Sequence, residues 1–363
     1  MNRRVTMADI AKQAGVHTTT VSMALRNHPS LPDATRQRLR ALAEKMGYVP
    51  DPAMQALVAY RNNNRPRSGQ LRLAYLTNWT SRWGWKKALG HNQFHVGAVA
   101  RARQLGYEFE HFWLGEPGLT HKRMSDILKA RGITGVIVAS HVEENDVALR
   151  LDWEKFCGVK IDFFPFATEL HNVTNDQRAI IHLAMERVMA AGYRRIGLVI
   201  PSWWDHGVRL AWSGGFLATQ QMLPAAERVP ILHYPEKCDV DGPLVEGPRQ
   251  PASRGALGEW LAAHQPEVLI SHLPFVKDAL DELGIAVPRD LAFVDVFLEN
   301  DTDRRVAGVR QNCNRVGELA VEILAAQLQQ HCYGFPAMPT TTMVEGTWRD
   351  GDSLPQRVAV HSA

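Results

Sequence analysis

Hydrophobic residues recur at two different spacings along this chain, and the change of spacing separates two regions. In residues 1–50, apolar side chains return every three or four positions in three short runs, the spacing of one helix face. Gly15 and Gly47 follow the first and third runs, as is common after helix C-termini. Thr6 followed by Asp9 resembles a capping box. The predicted helices run from Thr6 to Ala14, from His17 to Arg26 and from Asp33 to Met46.

The second predicted helix has an apolar and a polar face. The inward positions are Val21, Ala24 and Leu25, and the outward positions are Thr18, Thr19, Ser22 and Met23. Two short helices joined by a glycine turn predict a helix-turn-helix, whose second helix can enter the major groove of DNA. Short hydroxyl side chains suit such a face better than the long Glu/Lys pairs of a merely solvated helix. A small helical bundle that binds protein stays open as the alternative.

From Leu71 onward, strand-like runs alternate with helical ones. This alternation predicts parallel sheets with helices on both faces. The length of the region suits two such subdomains, with a ligand bound at the strand ends between them. The predicted strands cover 71–77, 108–114, 135–139, 159–163, 195–200, 229–233, 268–271 and 291–296, and the predicted helices cover 96–105, 124–130 and 177–191.

Charge divides the chain at the same place. Residues 1–70 carry eleven Lys and Arg against four Asp and Glu, whereas the remainder carries 30 against 34. A basic head (the first region) followed by a mildly acidic body (the remainder) indicates that the head binds a polyanion and the body does not. This asymmetry favours DNA over protein as the partner of the first region.

The remaining composition is that of a soluble globular protein, with 45% hydrophobic and 22% charged residues. No apolar run approaches the length of a membrane span, and the polar N-terminus is unlike a signal peptide. The four cysteines have no metal-binding spacing, which favours reduced thiols. We therefore expect a cytoplasmic protein without membrane, metal or cofactor.

The first 57 residues resemble the head of the lactose-repressor/galactose-repressor (LacI) family. The pattern T-x-x-D-[VI]-A-x-x-A-G-V-S-x-x-T-V-S-R-x-L-N is matched by Thr6, Asp9, Ile10, Ala11, Ala14, Gly15, Val16, Thr20, Val21, Ser22 and Leu25. The later pattern T-R…G-Y-x-P-[ND]…L is matched by Thr35, Arg36, Gly47, Tyr48, Pro50, Asp51 and Leu57. The match needs no gap, so the motif is specific. The resemblance implies an N-terminal all-α helix-turn-helix (lambda-repressor-like) head.

Carried over position by position, the resemblance implies that Thr18 and Thr19 read bases. It implies phosphate or sugar contacts for Thr6, Thr20, Ser22, Thr35 and Tyr48. The other candidate DNA-contacting residues are His17, Met23, Arg26, Arg36, Ala53, Gln55 and Leu57. Phosphate contacts position a protein, and base contacts select the sequence. Three residues depart from the pattern. His17 stands where the family usually has a capping Ser, Met23 where Arg is common, and Pro32 at the usual Ser cap of the third helix.

Residues 50–57 have prolines at their start and helix formers after them. In the family this hinge helix enters the minor groove beside that of the dimer mate, and a leucine wedges between base pairs. Leu57 holds the matching position, preceded by Gln55, and such a wedge kinks the duplex. An ordinary linker with Leu57 packed on the body is the alternative. The expected domains are a head (1–49), a hinge and linker (50–69) and a body (70–363).

The resemblance covers the body more weakly and implies an α/β two-lobed periplasmic-binding-protein-like effector domain that dimerises. The expected pocket departs from the family. His272-Leu-Pro replaces a common Asn-Asp, Asp295-Val-Phe-Leu298 replaces G-[FY]-D-D, and Trp212 replaces an Arg, with Arg209 one turn earlier. Candidate effector-binding residues are Trp79, Trp83, Trp85, Asp176, Arg209, Trp212, His272, Phe297 and Gln311. The tryptophans could equally cover the core or the dimer interface, and an empty site stays open.

No motif of a serine hydrolase, zinc protease, phosphate loop or dinucleotide turn occurs in the sequence, so no enzyme is expected. A solute-binding protein would not need a basic head, and a nonspecific nucleoid protein would not need a two-lobed body. The sequence therefore predicts a homodimeric regulator of the bacterial cytoplasm, nucleoid-associated when bound to a palindromic operator. We expect a repressor whose DNA affinity is modulated by a small-molecule effector, for which a sugar-related compound is one candidate class. An activator or an effector-free regulator is the alternative.

Overall fold

The computed structural model describes residues 5–25, 30–48, 71–141, 148–165, 167–234, 252–298 and 305–357. Within these ranges the chain forms a three-helix head and two α/β lobes.

The head consists of α1 (Met7–Ala14), α2 (Thr18–Leu25) and α3 (Asp33–Lys45). The capping box is confirmed, since the Asp9 amide donates to Thr6 Oγ1 at 3.3 Å and the Thr6 amide donates to Asp9 Oδ2 at 2.8 Å. Gly15 ends α1 with φ at 67°, a left-handed conformation that favours glycine. The helices enclose a small core whose fully buried members include Ile10, Val21 and Leu39.

The first lobe is a six-stranded sheet with helices on both faces. It contains β1 (Leu71–Asn78), α4 (Leu89–Gln104), β2 (Tyr107–Trp113), α5 (His121–Ala130), β3 (Gly135–His141), β4 (Cys157–Ile161) and β5 (His171–Asn175). With the later strand β11 (Thr341–Val344) at one edge, the strand order is β11-β5-β4-β3-β1-β2, and every pairing is parallel. The inner strands β3 and β4 are buried throughout, as strands covered on both faces must be.

The second lobe repeats this plan. It contains α6 (Gln177–Ala190), β6 (Ile196–Pro201), α7 (Ser202–Gly207), α8 (Ala211–Gln220), β7 (Leu232–Tyr234), α9 (Arg254–His264), β8 (Val268–Ser271), α10 (Leu273–Glu282), β9 (Ala292–Asp295) and β10 (Ala307–Arg310). With the last strand β12 (Thr347–Arg349) at one edge, the strand order is β12-β10-β9-β8-β6-β7. Within this sheet only β12 is antiparallel to its neighbour.

The chain crosses between the lobes three times. It leaves the first lobe after β5, returns after β10 through α11 (Cys313–Gln330) to β11 (Thr341–Val344), and leaves again for β12 (Thr347–Arg349). Helix α11 packs against α4 so closely that Gly97 and Gly317 are required. A Cβ on Gly97 would lie 1.9 Å from the Asn314 carbonyl oxygen, and one on Gly317 would lie 1.9 Å from the Phe94 carbonyl oxygen. The return helix is therefore fixed to the first lobe.

Several predicted boundaries differ from the structure by one to three residues, one differs by more, and two of the differences have a clear physical reason. The helix predicted from Val96 begins at Leu89, because α4 packs on several sides and lacks the single apolar face that the periodicity requires. The strand predicted from Val229 begins at Leu232. The carbonyls of Val229 and Pro230 instead accept hydrogen bonds from the side chains of Gln220 and Trp260, at 2.8 and 3.1 Å.

No described helix is long and apolar enough to cross a bilayer. Among the described residues there is also no cluster of His, Cys, Asp and Glu that could hold a metal ion. The described cysteines, Cys157, Cys313 and Cys332, form no disulfide, and Cys238 lies outside the described residues.

Candidate nucleic-acid interface and inter-lobe cleft

The N-terminal end of α2 presents the hydroxyl side chains that the sequence singled out. His17, Thr18 and Thr19 are exposed. The Thr19 amide donates to His17 Nδ1 at 3.3 Å, and Thr19 Oγ1 lies 2.9 Å from the same nitrogen. An imidazole thus performs the capping that a serine hydroxyl performs in the family pattern. The first turn of α2 is therefore fixed with Thr18 and Thr19 facing solvent.

The other candidate DNA contacts of the head lie around this turn at different depths. Thr20, Ser22, Met23 and Thr35 are half-buried. Thr6 is exposed, and its hydroxyl is engaged with Asp9 at 2.7 Å.

The aromatic and basic candidates of the head contact other residues of the head. Tyr48 packs against the head core, and Arg36 forms an ion pair with Asp33 on the first turn of α3. Pro32 begins α3 without a side-chain cap. The remaining candidates, Arg26, Ala53, Gln55 and Leu57, lie outside the described residues. Their DNA contacts stay predictions.

The candidate effector residues fall into two groups by burial. Trp85 and Trp212 are 0% and 1% exposed and belong to the cores of the first and second lobes. Trp79, Asp176 and Phe297 are half-buried, Trp83 is 47% exposed and Arg209 is exposed. His272 and Gln311 are buried. The structure therefore brings a subset of them to accessible surface.

Polar groups at the crossovers are engaged with one another. The Trp212 indole N–H donates to Gln177 Oε1 at 2.6 Å, and Gln177 Nε2 donates to Gln311 Oε1 at 3.1 Å. Gln311 Nε2 in turn donates to the Val296 carbonyl at 3.1 Å, and Asn175 Nδ2 donates to the Gln311 carbonyl. This buried chain of hydrogen bonds ties the first crossover to the second.

Asp295, at the end of β9, is also committed to internal partners. Its carboxylate accepts the amide N–H groups of Leu273 and Phe297 at 2.8 and 2.7 Å, and His272 Nδ1 lies 3.1 Å from Oδ1. The carboxyl group is buried, so these hydrogen bonds are what compensates its desolvation. The carboxylate therefore organises the loop that carries Phe297 and is not directed at solvent.

Aromatic rings surround this loop. Trp204 lies 4.8 Å from Phe275, 5.5 Å from Phe297 and 4.7 Å from Trp212, measured between ring centroids. His272 lies 5.0 Å from Phe275 and 5.5 Å from Phe297. Most of these pairs are edge-to-face, the arrangement that aromatic quadrupoles favour. The wall of the second lobe is thus apolar where the family pattern places carboxylates and amides.

Two phenylalanines cross from one lobe to the other. Phe297, from the second lobe, packs against the core of the first lobe, and its ring would lie 3.1 Å from a Cβ placed on Gly90. Phe163, from the first lobe, packs against the core of the second, where the Arg209 guanidinium lies 5.8 Å from its ring centroid. These reciprocal contacts hold the lobes together through side chains of the protein itself.

The loop that carries Phe163 is braced by a buried lysine. Lys160 Nζ donates to the carbonyl oxygens of Phe163 and Pro165, each at 2.9 Å. Beside it, Asp162 adopts φ of 68°, and Thr174 donates to its carboxylate at 3.2 Å. Burial raises the pKa of Asp162. The position of Phe163 is therefore determined by a rigid local structure.

Histidines and tryptophans also cluster in the first lobe. The ring centroid of Trp79 lies 4.8 Å from that of His91, and the ring centroid of Trp83 lies 4.4 Å from that of His111. Burial lowers the pKa of His91 to about 4, and burial together with His95, Arg82 and Lys86 lowers the pKa of His111 to about 4. His111 Nε2 lies 2.8 Å from Thr77 Oγ1. These imidazoles are neutral at pH 7, so they contribute aromatic surface without adding positive charge.

Comparison with known proteins identifies the head. The family model "Bacterial regulatory proteins, lacI family" matches residues 6–51. The HTH-type regulators reg1 of Streptomyces lividans and MalR of Streptomyces coelicolor are each 27% identical to this chain. Each alignment covers 89% of this chain and 90% of the relative. Residues 6–51 therefore form a LacI-family head, and over most of its length the chain is similar to regulators of that kind. It is a DNA-binding transcriptional regulator with a helix-turn-helix head.

Solved structures support the two-lobed fold. The lac repressor dimer bound to operator and the anti-inducer ONPF has a TM-score of 0.54 and 17% identity, covering 97% of this chain and 100% of that chain. The complex of the regulator CelR with cellobiose has a TM-score of 0.56 and 17% identity, covering 96% and 100%. These likenesses confirm the predicted LacI-type fold, a head followed by two parallel α/β lobes.

Within this LacI-family fold, several structurally important residues were not identified from the sequence. Phe163, Asn175 and Gln177 show no motif that would mark them, because each acts through contacts made far along the chain. Phe275 has only the helical spacing of a core residue. The sequence candidates Trp212, His272 and Phe297 do lie on this wall, and the adjacent pair Trp203-Trp204, shortly after β6, is a further sequence signal for it.

Proposed function

We propose that this LacI-family regulator recognises a specific palindromic operator as a dimer. The observation that carries the proposal is the exposed first turn of α2, where a capped helix N-terminus presents Thr18 and Thr19. A helix N-terminus with short polar side chains can enter the major groove and contact base edges. The basic balance of residues 1–70 supplies attraction to phosphate.

We assign the remaining parts of the chain by the same logic. Residues 50–69 are proposed to connect head and body, with Leu57 as the minor-groove wedge. The two lobes are proposed to dimerise and to hold two heads at adjacent half-sites. Because an operator read by a symmetric dimer has matching half-sites, the spacing of those half-sites reports the dimer geometry.

In vitro selection on randomised duplexes tests this assignment. The full-length protein is expected to enrich sequences with dyad symmetry, and Thr19→Ala is expected to relax the preference at one or two base pairs per half-site. Arg36→Ala is expected to weaken binding to all sequences alike. Enrichment without symmetry would contradict the dimer, and equal effects of the two variants would contradict the division between base and phosphate contacts.

Modulation by a small molecule in the cleft is the second part of the proposal. The neighbours include a CelR complex with cellobiose and a regulator with bound glucose. In this chain, Asp295 and Gln311 are committed to internal hydrogen bonds, and Phe297 fills space between the lobes. A ligand would therefore have to displace Phe297, and its contacts would be with aromatic rings more than with polar groups.

The position of Phe297 favours a second candidate, a regulator whose lobes stay closed without an effector. A thermal-shift screen with sugars, glycosides and small aromatic acids separates the two candidates. A true ligand at about a hundredfold excess over its Kd adds about 2.7 kcal/mol to the free energy of unfolding. A shift with sugars would contradict the closed cleft, and no shift with any compound would support it.

A further inference from the structure

Helix α2 is capped at its N-terminus by the imidazole of His17. The His17 carbonyl accepts the amides of Thr20 and Val21 at 2.9 and 3.3 Å, which makes His17 the residue that caps α2. Its side chain accepts the Thr19 amide through Nδ1 at 3.3 Å. Helix N-caps are usually Ser, Thr, Asp or Asn, whose oxygens accept such amides. Here a ring nitrogen does so, which constrains where the ring proton lies.

The hydrogen bonds assign the tautomer. A backbone N–H can only donate, so Nδ1 must offer its lone pair, and the proton of the neutral ring lies on Nε2. Thr19 Oγ1 lies 2.9 Å from the same Nδ1. With Nδ1 unprotonated, the hydroxyl acts as the donor of this pair, and the single Nδ1 lone pair is shared between the hydroxyl and the Thr19 amide in a bifurcated arrangement. The Thr19 hydroxyl is then left with two lone pairs, so towards solvent it can only accept.

We propose that His17 positions Thr19 as a base reader that only accepts hydrogen bonds. The base that Thr19 contacts would then be one that presents an exocyclic amine in the major groove, adenine N6 or cytosine N4. The guanine O6 and N7 atoms are acceptors and cannot pair with it. The inference rests on the proposed placement of α2 in the major groove. His17 is thus a positioning residue that determines specificity without touching the base.

The tautomer can be measured without DNA. Two-bond ¹⁵N–¹H correlation spectra of the full-length protein at mildly alkaline pH distinguish a protonated Nε2 from a protonated Nδ1, and His17→Ser assigns the His17 signals by their disappearance. A protonated Nε2 and a bare Nδ1 are expected. A proton on Nδ1 would overturn the inference whatever the protein does with DNA.

Base analogues test the consequence on DNA. Selection with wild type and Thr19→Val identifies the base pair that depends on Thr19. At that pair, purine in place of adenine, or 2-pyrimidinone in place of cytosine, removes the exocyclic amine. The loss of one hydrogen bond is expected to weaken wild-type binding about three- to tenfold. The same replacement is expected to leave the DNA affinity of the Thr19→Val variant unchanged. A 7-deazapurine, which removes the N7 acceptor, is expected to have no effect on wild type.

His17→Ser supplies the matched control, because serine caps helices well but leaves the Thr19 hydroxyl free to donate. With this variant folded, as judged by its circular dichroism, sensitivity to the 7-deazapurine is expected to appear. The Thr18→Val variant should lose as much affinity as wild type when the exocyclic amine is removed at the base pair that depends on Thr19. Sequence-specific binding in which the amine is irrelevant, or in which N7 matters to wild type, would overturn the inference. Loss of all sequence preference would instead overturn the proposed function beneath it.

Discussion

The head and the inter-lobe cleft depart from the LacI pattern to different degrees. In the head, most hydroxyl residues of the motif are present. Of the two altered caps, His17 still accepts an amide, as a serine would, whereas Pro32 provides no side-chain cap. In the cleft, the expected polar residues are replaced, and the carboxylate that remains is turned inward to its own loop. The proposed DNA-contacting surface keeps most of the hydroxyl side chains of the pattern, whereas the proposed effector surface has become part of the packed body.

The physical reason for the difference is how far apart in the sequence the residues of each site lie. The head site lies on one helix turn, so local caps and spacing determine it. The cleft site is assembled from β4, β9, α7 and the first two of the three crossovers. A single residue such as Phe297 can therefore change which contacts hold the lobes together.

Phe297→Asp is expected to give the largest effect of any single change. It places a carboxylate against the core of the first lobe and removes the contact with Gly90, which should cost about 4 kcal/mol of unfolding free energy. Small-angle scattering of the full-length variant should show separated lobes. Phe297→Leu, which keeps an apolar side chain, should cost less than half as much. Unchanged scattering for the aspartate variant would contradict closure by Phe297.

Asp295→Ala is expected to cost on the order of 3 kcal/mol, because it leaves the amides of Leu273 and Phe297 without their buried acceptor. Urea unfolding measures this loss. Asp281→Ala removes an exposed carboxylate paired only with Lys277 and should change stability by less than about 0.5 kcal/mol. Similar losses in the two variants would show that Asp295 is not a structural carboxylate.

His91 predicts a smaller effect that depends on pH. Its pKa is lowered from 6.5 to about 4 in the fold, so the unfolded chain binds the proton more readily. Its contribution to stability is therefore complete above about pH 6.5 and is lost as pH falls towards 4. His91→Phe keeps an aromatic ring against Trp79 but cannot bind a proton. Between neutral pH and pH 4–5, the free energy of unfolding of this variant should therefore fall by on the order of 2 kcal/mol less than that of wild type. Parallel pH profiles would contradict the burial of a neutral His91.

The smallest expected effects compare two threonine caps. Thr6→Ala removes a capping box in the head and Thr120→Ala removes the cap of α5 in the body, and each should cost about 1 kcal/mol. Only Thr6→Ala is expected to reduce DNA affinity, because only that cap orders the DNA-binding unit. Equal effects of both variants on DNA affinity would show that head and body do not divide function in this way.

The same division explains what the sequence predicts. The three head helices, their capping box and the parallel two-lobed body all follow from spacing, turn residues and alternation of elements. The crossover hydrogen bonds of Asn175, Gln177 and Gln311 do not, since they join residues more than 130 positions apart. Trp85 and Trp212 show the same limit, because nothing in the local sequence distinguishes a tryptophan in a core from one on a pocket wall.

The most direct test of the account is the affinity of the ligand-free, full-length protein for a selected operator and for a scrambled duplex of the same composition, at matched ionic strength. If α2 reads a specific operator, the operator is expected to be bound at least about a thousandfold more tightly, without any added small molecule. Equal affinity for the two duplexes would contradict the account.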